Sequence, residues 1–104
     1  MQRLLYPLAV SVLAVAVQAQ DTPEKLAADA GCGACHHAEE PRMGPSWQAI
    51  AERYKDQEGA AAELQEKMRT VSKGAWGEAP MPPVTPDQLT DDQLSSVIDW
   101  ILNR

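Results

Sequence analysis

What most limits this chain is how little apolar material remains once its first 19 residues are set aside. Of 46 apolar residues in 104, 14 lie before Gln20 and 32 after it. Twelve of those 32 are alanine and two are cysteine, so 18 larger apolar side chains remain, with no phenylalanine. The leading stretch, residues 1–19, reads as a secretory signal peptide. Arg3 precedes an apolar run from Leu4 to Val17, broken by Pro7 and Ser11, and Val17-Gln18-Ala19 offers a small-residue cleavage site. The run is short and abruptly ended for a membrane span, so no stable membrane insertion is expected after cleavage; an uncleaved anchor is the competing reading. Residues 20–104 then make one domain, too short for a TIM barrel, a doubly wound sheet or an α/β-hydrolase. A core this thin needs a staple: disulfides, a metal or a cofactor.

Charge narrows the class further. Without Arg3 the chain has eight basic against fifteen acidic residues, a net charge of −7. That balance is wrong for nucleic acid, where lysine and arginine must meet phosphate, and for an anionic membrane surface. It suits a protein that meets basic patches on its partners.

Four helices are predicted. The first spans 23–30, with Asp21 or Thr22 as cap and Pro23 at the first helical position. The second spans 47–55 behind Ser46, with Trp47, Ile50, Ala51 and Tyr54 on one face. The third spans 60–71, striped by Leu64, Met68 and Val71, with Glu63 and Lys67 as an i,i+4 pair. The fourth spans 91–102, opened by a Thr90–Gln93 capping box and lined inside by Leu94, Val97, Ile98, Ile101 and Leu102. No segment alternates with a period of two. Residues 74–86 hold two glycines and four prolines, which predicts a stiff loop with Met81 in its middle.

Cys32-Gly33-Ala34-Cys35-His36 is the C-x-x-C-H pattern of c-type haem attachment. Two thiols three residues apart can each add to a vinyl group, and the adjacent histidine can reach the iron from one face. Three other readings compete. A thioredoxin-like redox pair needs a βαβ surround, a zinc site needs less crowded ligands, and a plain disulfide is possible in an exported protein. With haem, His36 is the proximal ligand and His37 an exposed polar side chain. The opposite ligand is expected from a methionine sulfur. Met43 is close in sequence to His36, Met68 lies in a helical stripe, and Met81 stands in the rigid Ala79-Pro80-Met81-Pro82-Pro83 segment, which favours Met81. The Gly44 or Pro45 carbonyl can accept the free ring N–H of His36. Trp76 can donate its indole N–H to a propionate, and Lys67 and Arg69 can pair with propionates; packing and solvation are the plain alternatives. Trp47, Tyr54 and Trp100 read as core aromatics.

Taken together, Gly31-Cys32-Gly33-Ala34-Cys35-His36, Met43-Gly44-Pro45, Gly74-Ala75-Trp76-Gly77 and Pro80-Met81-Pro82-Pro83, followed by an amphipathic helix around Trp100, resemble the short bacterial class I cytochromes c of the c-551 type. The resemblance covers residues 21–104. It implies a mostly α, small single-domain fold of about four helices around one covalent haem c. It implies His36 and Met81 as axial ligands, the Pro45 carbonyl as acceptor for His36, and Trp76 with Lys67 toward a propionate. It implies a single-electron carrier of the periplasm; a monomer that is not an enzyme is the accompanying expectation. Its donor would resemble a membrane bc1-type complex, and its acceptor a nitrite reductase, peroxidase or oxidase. A haem-based sensor or ligand-binding protein with an open iron is the competing function. Two departures stand out: Val84 occupies a position where many members carry an asparagine that reaches the methionine sulfur, and the link from Val84 to Thr90 is longer.

Overall fold

A computed structural model describes residues 3–11 and 21–104; the cleavage site at Val17-Gln18-Ala19 and the apolar run past residue 11 lie outside the described residues. Four helices and one hairpin follow in order: α1 (Pro23–Asp29), α2 (Trp47–Tyr54), α3 (Ala60–Met68), β1 (Ser72–Gly74), β2 (Gly77–Met81) and α4 (Asp91–Leu102). A 3-10 turn at Cys32–Ala34 joins α1 to the loop before α2.

Helix starts follow their caps. The Thr22 hydroxyl accepts from Lys25 N at 3.2 Å and the Ser46 hydroxyl from Ala49 N at 3.0 Å. At α4 the capping box closes in both directions, Gln93 N donating to Thr90 Oγ1 and Thr90 N to Gln93 Oε1. α4 is the central post: α1, α2 and α3 all pack against it. Its Leu94, Val97, Ile98 and Ile101 are buried, together with Trp47, Ile50 and Tyr54 from α2. Trp100 is partly buried against the same cluster.

Two expectations need correction, and a third feature, the longer link, takes a definite form. α3 ends at Met68, three residues early, and Val71 lies outside its stripe, 64% exposed. Arg69 caps the helix with helical backbone angles, while the Met68 carbonyl is taken by Val84 N at 2.7 Å and the Arg69 side chain reaches the Val84 carbonyl at 3.0 Å and Asp91 at 2.7 Å. The supposed loop after it contains an antiparallel hairpin, with Ser72 opposite Met81 and Gly74 opposite Gly77. Both strands are edges, so Pro80 interrupts no ladder between neighbours on either side. The tight Ala75-Trp76 turn is flanked by Gly74 and Gly77 at φ +94° and +112°, a region that side chains disfavour. Finally, the longer link is ordered. Thr85 N donates to Gln88 Oε1 at 2.9 Å and Gln88 N to Thr85 Oγ1 at 3.3 Å, a second reciprocal cap. That single turn sets Val84 and Leu89 into the core.

Among the described residues no helix is long and apolar enough to cross a membrane. Residues 3–11 form no regular element, and their apolar side chains stay outside the core; Leu8 is 93% exposed.

Candidate haem-binding site

The loop from His36 to Ser46 folds back onto the cysteine motif. Gly44 N donates to the Cys35 carbonyl at 2.8 Å, Arg42 Nη1 to the Gly33 carbonyl at 3.2 Å, and Trp47 N to the His37 carbonyl at 2.9 Å. This return brings the Pro45 carbonyl 2.6 Å from His36 Nδ1. A carbonyl only accepts, so the proton sits on Nδ1 and the lone pair on Nε2 is free for a metal. The ring is also held flat against Trp47, centroids 4.6 Å apart and planes at 19°, and Trp47 meets Trp100 edge-on at 5.7 Å. Of the two carbonyls that the sequence left open for His36, Pro45 makes the bond.

Gly44 is there for space. A Cβ on it would lie 2.6 Å from His36 Cε1 and 3.0 Å from Nδ1. Gly44→Ala is therefore expected to push the ring off Pro45 and cost the loaded protein about 2 kcal/mol, or roughly 10 °C in melting temperature. Thermal melting followed at the haem absorbance checks it, and an unchanged midpoint would mean the ring has room to turn.

Cys32, Cys35, His36 and Pro45 line one apolar cleft with Trp76, Met81 and Lys67. Its walls are Ile50, Leu64, Val97, Ile98 and Ile101, and it encloses about 1100 Å³ of empty space, open mouth included. These seven expected site residues are thus brought to one place, whereas Arg69, the other residue considered for a propionate, is not on the lining. The two other candidate methionines are there too: Met68 lines the same cleft, and Met43 stands at its edge, 73% exposed, with its sulfur 4.0 Å from Cys35 Sγ. Among the described residues, the charged side chains on the lining are Lys67 and Lys73. Lys67 is 3.1 Å from Glu63, and that hydrogen bond holds its ammonium above its ordinary pKa, so it stays charged. Burial pushes the Cys32 thiol up. Cys32 and Cys35 are not joined to each other, and both line the cleft. No group of three or more His, Cys, Asp or Glu among the described residues is placed to hold a bare metal ion, which disfavours the zinc reading.

Three contacts were not foreseen. Arg53 from α2 donates to the Ala75 carbonyl at 2.6 Å and lies over the Trp76 ring at 4.6 Å, pinning the hairpin turn. His37 is only half exposed: its Nδ1 accepts from Glu39 N at 3.2 Å and Glu40 N at 3.1 Å, which shapes the loop behind the motif. Arg69 is committed to Val84 and Asp91, and it is not among the cleft-lining residues. The Arg53 and Arg69 pairs come from elements distant in sequence, and no local pattern announces them.

The residues fit a haem: two thiols at attachment spacing, an oriented imidazole, a thioether, an apolar slot and two ammonium groups suited to carboxylates. The class so defined is a helical protein built around a covalent porphyrin. Residues 23–104 match the family model for cytochrome c. The chain is 47% identical over 81 residues to cytochrome c2 of Rubrivivax gelatinosus, covering 78% of this chain and 95% of the relative. It is 35% identical over 94 residues to cytochrome c-551 of Pseudomonas aeruginosa, covering 90% and 86%. The crystal structure of Nitrosomonas europaea cytochrome c552 superimposes with a TM-score of 0.70 at 38% identity, covering 76% of this chain and 95% of that one. This chain belongs to the cytochrome c family, as a small bacterial class I member of the c-551 type. Its cofactor is covalently attached haem c, for which Cys32 and Cys35 fit the attachment motif, and its role is electron transport.

Proposed function

We propose that this protein is a soluble single-electron carrier of the periplasm, with haem iron held between His36 and Met81. One observation carries the reading: His36 Nδ1 is tied to Pro45, which frees Nε2 in the same apolar cleft that Met81 and both attachment cysteines line. Haem iron supplies the chemistry, gaining or losing one electron with both axial positions filled.

The chain's residues set the terms of that exchange. The Pro45 carbonyl fixes the imidazole and raises its basicity. The thioether of Met81 and the dry aliphatic walls both favour the less charged, reduced state and so raise the potential. Met81 is preferred to its rivals by position. Met43 sits beside Cys35, in the return loop that carries the His36 acceptor, and Met68 belongs to a helix that packs on α4. Trp76 and Lys67 are suited to hold a propionate, the indole N–H and the ammonium being the donors. Were His36 and Met81 both to hold the iron, no position on it would be left for a substrate, as an electron carrier requires and an open-iron sensor does not.

The leader 1–19 is proposed to direct export and be removed, leaving 20–104 as the working domain. The exposed apolar side chains of residues 3–11 support this, since the fold makes no use of them. The net charge draws in basic redox partners at long range, in the manner of a bc1-type donor and a nitrite reductase, peroxidase or oxidase acceptor. The contact itself is small and transient, made by a monomer.

Two spectra test the proposal. The ferric holoprotein is expected to show the weak near-infrared sulfur-to-iron band, and the reduced form to bind carbon monoxide only slowly at neutral pH. Rapid carbon monoxide binding with no such band would replace it with the open-iron reading.

A further inference from the structure

We propose that Arg69 is a positioning residue that locks the Met81 arm to the helices, doing from the backbone side what a polar side chain at position 84 cannot do here. The inference rests on the reading of Met81 as an axial ligand. Position 84 is valine, buried to 8% exposure, and it offers no hydrogen bond to a sulfur. Its backbone is held instead. Val84 N donates to the Met68 carbonyl at the end of α3 at 2.7 Å, and its carbonyl accepts from Arg69 Nη1 at 3.0 Å. The other guanidinium nitrogen, Nη2, reaches Asp91 at the first turn of α4, 2.7 Å away. One planar fork therefore joins the end of α3, the arm and the start of α4, with its own side chain only 19% exposed.

The geometry converts this tie into control of Met81. Only Pro82 and Pro83 separate Val84 from Met81, and both have φ fixed by their rings. An arm that is stiff in its middle and fastened at Val84 leaves the methionine few ways to swing out. On the other side Met81 is fastened by its pairing with Ser72. Free of Arg69, the arm keeps its prolines and the Val84 N bond to Met68 but loses the tie at the Val84 carbonyl, so the released state of Met81 becomes more populated. Charge matters as well as reach: Asp91 stabilises the guanidinium, and a neutral side chain of similar length replaces neither bond at full strength.

The test uses the haem-loaded protein and its Arg69→Gln variant. The ferric variant is expected to lose near-infrared band intensity at neutral pH. Its reduced form is expected to bind carbon monoxide about tenfold faster, the factor that one charge-assisted hydrogen bond corresponds to. Asp91→Asn, a change at an exposed side chain, should move both readouts in the same direction by less. Arg69→Lys should recover part of the loss through Asp91 alone. Ala27→Gly serves as the control, because it weakens α1 far from the arm. It should lower the melting temperature and leave band and carbon monoxide rate at their original values. Arg69→Gln with full band intensity and an unaltered carbon monoxide rate would overturn the proposal, whatever its melting temperature. So would an Ala27→Gly control that loosens Met81 equally. If the unmodified protein itself lacks the band, the fault lies in the ligand reading and not in the latch.

Discussion

Replacing Met81 by alanine is expected to give a protein that folds around its haem, loses the near-infrared band and binds carbon monoxide rapidly when reduced. Its reduction potential is expected to fall by on the order of 100 mV or more, because a thioether favours ferrous iron over the water or hydroxide that would take its place. The size of the effect depends on whether another methionine can step in. Met68 lines the same cleft, but its backbone carbonyl is bonded to Val84 N and its helix is packed on α4. Met43 is largely exposed and sits at the Cys35 sulfur. Neither is free to cross to the vacated position, so no rescue is expected. Met68→Leu should keep the band and bind carbon monoxide as slowly as the parent. The reverse pattern, with Met68→Leu opening the iron and Met81→Ala leaving it closed, would exchange their roles. Voltammetry and carbon monoxide mixing give the two readouts.

The second large effect concerns folding. With both Cys32 and Cys35 changed to alanine, the chain is expected to be largely unfolded at room temperature, with weak helical circular dichroism and no cooperative melt. The buried apolar set is small, and four of its fully enclosed side chains are Leu89, Leu94, Val97 and Ile98. Around them the cleft presents Leu64, Met68 and Met81, which the polypeptide covers only in part and which need the porphyrin as their partner. If attachment covers on the order of 400 Å² of apolar protein surface, it contributes about 10 kcal/mol. That equals the whole net stability of a typical small domain. The hairpin is the most dependent element, since its ties to the helices are a few polar contacts such as Arg53 to Ala75. A sharp, native-like transition in the double variant would show that the polypeptide core suffices by itself.

The local devices of this fold were legible residue by residue. Thr22, Ser46 and Thr90 start helices because their hydroxyls serve amides three residues on, and that is visible in sequence. α2 and α4 show their buried faces as a period of 3.6, and the C-x-x-C-H run declares attachment chemistry by spacing alone. The hairpin did not show itself. Glycine at its turn, proline in its second strand and two solvent-facing edges leave none of the alternation that marks a half-buried strand. The end of α3 was also hidden, since the Met68 carbonyl is taken by Val84 N, 16 residues downstream.

Chemistry that acts within one turn or one motif was written in the order of the residues: the caps, the helical faces, the paired thiols and the histidine beside them. Tertiary structure decided which carbonyl meets His36, that Gly44 must lack a side chain, that Arg53 grips the hairpin turn, and that Arg69 grips the arm behind Met81. The division has one cause. Helix caps and periodic faces depend on neighbours a fixed number of residues away, whereas these clamps depend on which distant segments the packing on α4 brings within hydrogen-bonding reach.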